Sequence, residues 1–97
     1  MIPDSVVKLL LDTCEQKAFE QVEQVVKDII VEGYSVVQLI HQILDKLTQD
    51  AVFNERQQAL VSQRLGKIDK ALVDGADEHL QLLDLATYMM QVFQRSK

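Results

Sequence analysis

Residues 65–83 read LGKIDKALVDGADEHLQLL. Leu65, Ile68 and Leu72 recur at three- and four-residue intervals, the spacing of one face of an α-helix. Gly75 then interrupts the run, because glycine adopts without strain the left-handed conformation that closes a helix. Asp77 follows as an N-cap, able to accept from the free amides of a new first turn, and Glu78 suits the positive end of that turn. Leu80 and Leu82 begin the next buried face. The stretch predicts two helices joined by a tight corner, with Gly75, Asp77 and Glu78 as its structural residues.

The same grammar extends in both directions. Towards the C-terminus a helix runs from Asp77 to about Gln94, with Leu80, Leu83, Thr87 and Met90 on one side and Leu82, Leu85, Ala86, Met89 and Phe93 on another. That apolar arc is wider than a one-sided surface helix requires. One reading is a central helix surrounded by its own bundle, the other a helix part of whose arc meets a second subunit, and both can hold.

Towards the N-terminus, Asn54 with Gln57 is a capping-box pattern opening the helix that ends at Gly75, with Leu60 and Val61 extending its stripe. Gly66 lies inside it, at a cost of about 1 kcal/mol against alanine; close backbone packing is the expected reason, and a break there the alternative. Ser35 with Gln38 opens a third helix ending near Asp50, apolar at Val36, Leu39, Ile40, Ile43, Leu44 and Leu47. A second runs from about Ala18 to Glu32, with Phe19, Val22, Val25, Val26, Ile29 and Ile30 at the helical period. Gly33 stops it, and Lys17 and Ala18 are weak N-caps. The first runs from about Asp4 to Glu15 behind Pro3, with Val6, Leu9, Leu10 and Cys14 as its stripe. Five helices with short connections predict an all-α bundle.

The chain has 97 residues, enough for one domain, and 47% of them are apolar. Its formal net charge is −5, with ten basic residues scattered among fifteen acids. Binders of duplex nucleic acid gather cations on one face, so direct DNA or RNA binding and binding to acidic lipid are disfavoured. Cys14 is the only cysteine, which rules out an internal disulfide. No stretch approaches the ~20 apolar residues of a membrane span and no signal peptide is visible, so the expectation is a soluble intracellular protein.

Chemistry-bearing motifs are missing. Gly66-Lys67 is the only Gly-Lys pair; Ile68 follows it and Val61 stands five residues before Gly66, so it makes no phosphate-binding loop. Cys14 with His41 or His79 is the only Cys–His option, and Cys14 sits on an apolar stripe as a small core residue. Asp74, Asp77, Glu78 and His79 cluster at a helix start, where acids suit the dipole, and their spacing is not that of a metal loop. No catalytic, cofactor-binding or metal-ligating residue is expected.

Ile68-Asp69, Leu72 and then residues 75–82, GADEHLQL, resemble the signature across the last two helices of small clamp-loader (replication factor C) subunits. That signature reads (I/V)-D and, a few residues on, (E/D)-G-A-(N/D)-E-x-(I/L)-Q-L. Residues 25–30, VVKDII, with Glu32-Gly33-Tyr34, resemble the end of the family's second collar helix, and Ile2-Pro3 the segment entering the collar. The likeness covers essentially the whole chain and is nearest the fourth subunit of the eukaryotic complex. Gly66 and the weak cap at Lys17–Ala18 depart from the family pattern.

The resemblance implies a collar-type five-helix oligomerisation domain over 1–97, without the AAA+ ATPase and lid that precede it in such proteins. There, five collars form a ring holding ATPases that place a sliding clamp on primer–template DNA in nuclear replication and repair. ATP and Mg would belong to the missing ATPase domain. Contacts to clamp and DNA would run through the missing domains, and the partners of this chain would be other collars, met head-to-tail. Leu80, Leu83, Leu85, Met89, Met90 and Phe93 are the expected interface residues. The rival reading is a helical adaptor whose groove, with Met89, Met90 and Phe93, takes a partner's amphipathic helix.

Overall fold

Helix α1 spans Asp4–Gln16, α2 Phe19–Val31, α3 Val36–Gln49, α4 Glu55–Val73 and α5 Glu78–Arg95 in the computed structural model, which describes residues 2–16, 19–49 and 54–95. This is the expected all-α five-helix bundle. The start expected at Ala18, the end expected near Asp50 and the side chain of Leu47 lie outside the described residues.

The helix ends follow from local chemistry. Asn54 and Gln57 form a full capping box over α4: the Gln57 amide donates to Asn54 Oδ1 and the Asn54 amide to Gln57 Oε1, each at 2.8 Å. At α3 the Gln38 amide donates to Ser35 Oγ at 3.3 Å. Helices α2 and α4 stop alike, in a Schellman turn on a glycine with positive φ, 81° at Gly33 and 97° at Gly75. The Tyr34 amide reaches back to the Ile29 carbonyl at 3.4 Å, and the Ala76 amide to that of Ala71 at 2.9 Å. Ile2, buried ahead of α1, has both backbone groups held by Gln42: its amide donates to Oε1 at 3.1 Å, and Nε2 donates to its carbonyl at 2.9 Å.

One core runs through the molecule, with α5 against α1, α2 and α4. Its face of α1 is Val7, Leu10, Leu11 and Cys14, one step round from the expected stripe. Leu9 is 54% exposed and Val6 half-buried, both facing a shallow groove with Val25 and Ile29 of α2. Both faces of α1 carry apolar residues at helical spacing, and only packing against α2 and α5 selects between them. Phe19 and Leu44 are likewise more exposed than expected, while Val22, Val26, Ile29, Val36, Leu39, Ile40 and Ile43 are buried.

Helix α4 is a single rod through Gly66, with Val61, Leu65 and Ile68 buried. The expectation of close packing at Gly66 is corrected: it is exposed, and a methyl group there would meet no heavy atom within 4 Å beyond its own helix backbone and chain neighbours.

Candidate subunit interface

Helix α5 carries all six residues expected to meet a partner. At 100° per residue its buried set, Leu82, Leu85, Ala86, Met89, Met90, Val92 and Phe93, covers an arc of roughly 160°. Leu85 and Met89 are fully enclosed, and Met90 and Phe93 nearly so. These four pack into the chain's own core, which leaves them almost no area to offer a partner. The same burial closes the groove an adaptor would need at Met89, Met90 and Phe93. Leu80 is 65% exposed, which corrects its place on the buried face and leaves it free to meet a partner; Leu83 is half-buried beside it.

The corner between α4 and α5 is built as expected and does one thing more. Asp77 caps α5, its Oδ1 accepting from the Leu80 amide at 2.9 Å and its carbonyl from the Gln81 amide at 3.0 Å. Glu78 reaches across to a different helix: its Oε2 accepts from the Val36 amide at 3.3 Å, in the open first turn of α3. This carboxylate therefore sits at two positive helix ends at once. It clips the α4–α5 corner to the α2–α3 corner, and a cleft of about 450 Å³ lies between them, lined by Ile30, Gly33, Tyr34, Ala76, Asp77, Glu78 and His79. The two residues are 42 apart in sequence, so the pattern of caps gives no sign of the contact.

Surface ion pairs brace the remaining helices. Lys46 Nζ lies 2.8 Å from Asp4 Oδ1, linking α3 to α1. Arg64 pairs with Asp84 at 3.2 Å and stacks over the Tyr88 ring at 4.3 Å, linking α4 to α5. His41 Nε2 lies 3.8 Å from Asp69 Oδ1, linking α3 to α4. Exposed pairs of this kind contribute about 1 kcal/mol or less each.

The candidate chemical groups do not converge. Cys14 is fully buried with Sγ 3.5 Å from the Ala86 carbonyl oxygen, and burial pushes its thiol up to about 12. A neutral thiol in that setting is no nucleophile. His41 stands on the surface beside Asp69, and His79 is exposed at the corner. Among the described residues no three His, Cys, Asp or Glu side chains are grouped to hold a metal ion. Nor is any described helix long and apolar enough to cross a membrane. Gly66 and Lys67 sit in mid-helix, where backbone amides are spent on the helix ladder, so they do not fit a nucleotide phosphate.

Comparison with known proteins adds the family context. The family profile described as the replication factor C C-terminal domain matches residues 2–88. Replication factor C subunit 2 of Oryza sativa subsp. japonica is 46% identical over 86 residues, covering 89% of this chain and 25% of the relative. Replication factor C subunit 4 of Homo sapiens is 38% identical over 91 residues, covering 94% and 25%. Replication factor C subunit 4 of Arabidopsis thaliana is 39% identical over 88 residues, covering 90% and 26%. The chain thus spans about a quarter of the length of these curated relatives.

Proposed function

The chain belongs to the replication factor C C-terminal domain family, and on that premise we propose that it is a collar module joining clamp-loader subunits into a ring. The match of residues 2–88 to the family profile carries this reading. It gains support from the fold, an all-α five-helix bundle. The partners are other replication factor C subunits, met through their own collars. In the full assembly a preceding AAA+ ATPase and lid supply ATP and Mg chemistry and the contacts to sliding clamp and DNA, and the setting is nuclear replication and repair.

Of the six expected interface residues on α5, Leu80 and Leu83 are the two with area to give, and this supports a contact at the start of the helix. A stable interface buries about 800 Å² per partner, so neighbouring surface must join them. Two variants separate core from contact. Leu85→Ala lowers the unfolding free energy by about 2–5 kcal/mol in urea titration. Leu80→Ser leaves that titration within about 0.5 kcal/mol of the parent and weakens co-purification with the other subunits. Unchanged co-purification with Leu80→Ser removes the start of α5 from the interface.

A further inference from the structure

Seven large apolar side chains stand exposed among the described residues, and they are not evenly spread. The three most exposed, Val73 at 77%, Val31 at 73% and Leu80 at 65%, all border the two glycine corners that Glu78 clips together. Val31 precedes Gly33 by two residues, Val73 precedes Gly75 by two, and Leu80 opens α5. Val37, the least exposed of the seven at 37%, stands beside the clipped Val36 amide and adds to them. Four of the seven thus stand around a cleft where two corners distant in sequence meet, while Leu9, Phe19 and Leu44 are exposed at other positions on α1, α2 and α3.

The charge of that end indicates what covers it. Asp28, Glu32, Asp74, Asp77 and Glu78 are all exposed around the corners. The acids that are bonded there take neutral donors: Asp28 the Gln24 side-chain amide, Asp77 the Leu80 amide and Glu78 the Val36 amide. No lysine or arginine occurs from Asp28 to Asp45 or from Ala71 to Gln94; Lys27 and Lys70 stand about a turn further back. Five carboxylates in an aliphatic surface repel a second copy of this chain, which would bring five more, and attract a surface of opposite sign.

We propose that the paired-corner end, centred on Val31, Val73 and Leu80, is the docking surface for a cationic, aliphatic face of a neighbouring replication factor C subunit. The inference rests on the assembly reading above and adds to it a second element pair, α2–α3, and the chemistry of the partner. The surface makes the contact selective: complementary charge raises the rate of encounter with the right neighbour and disfavours self-association, while the aliphatic residues supply the buried area.

The test titrates this chain against the remaining replication factor C subunits by light scattering, between about 0.05 and 0.5 M salt, where screening removes exposed charge attraction. Two substituted chains are compared with the parent, E32K/D74K and Val73→Ser, at positions outside the side-chain caps; circular dichroism checks their fold. The expected result is parent binding that weakens with salt, and a loss of roughly tenfold or more in affinity for E32K/D74K at low salt. Val73→Ser should lose several-fold at every salt concentration. If both variants bind as the parent does and salt has no effect, the proposal is overturned and the assembly reading stands. If the parent joins no subunit at any salt concentration, the assembly reading falls and this one with it.

Discussion

An exposed glycine inside α4, with open space where a methyl group would stand, has no internal packing reason to be glycine. Gly66→Ala should therefore raise the unfolding free energy by about 0.5–1 kcal/mol, from helix propensity and a less flexible unfolded chain. A urea titration checks it; a loss of stability would mean that space is occupied. Cys14 reports on burial. Its thiol rises from an ordinary 9.0 to about 12, so the folded chain holds this proton more tightly than the unfolded chain. That contribution is complete below about pH 9 and is lost as pH climbs from 9 towards 12, at up to about 1.4 kcal/mol per pH unit. The thiol should accordingly resist a chromogenic disulfide reagent at pH 8 and react once urea unfolds the chain. Rapid labelling of the native protein would contradict its burial.

At the scale of elements, the corners organise the bundle. Each glycine turn is local and is legible in sequence, as are the Asn54–Gln57 box and the Asp77 cap, because every partner lies within five residues. Glu78 is read from sequence as a dipole partner of its own helix, and it also serves α3. Glu78→Ala should cost about 1 kcal/mol, for the lost bond to the Val36 amide and the charge at two helix ends, and Glu78→Gln, which keeps an acceptor, should restore part of it. Equal stability of both variants and the parent in chemical denaturation would mean the clip contributes nothing. The same distinction explains what the sequence reading of α1 and α5 misses. Val6 and Leu9 compete with Val7 and Leu11 for the core at equal hydrophobicity, and periodicity cannot rank two adjacent apolar faces. Leu85, Met89, Met90 and Phe93 look like spare surface on an overly apolar helix until α1, α2 and α4 are packed around it.

At the scale of the whole molecule, the number of helices, their order and their family are legible, because the corner signature at 65–83 and the spacing of caps are local patterns that survive without coordinates. The location of the exposed apolar surface is not, since it depends on two corners 42 residues apart meeting at one end. On the reading proposed above, this chain assembles with other clamp-loader subunits through its helical bundle. Light scattering of the 97-residue chain, alone and mixed with the remaining replication factor C subunits, tests that claim most directly. The expected result is a folded monomer alone, kept apart by its acidic docking end, and a hetero-complex of defined stoichiometry in the mixture. A chain that stays monomeric beside those subunits at tens of micromolar, well above the dissociation constants of stable interfaces, would contradict it.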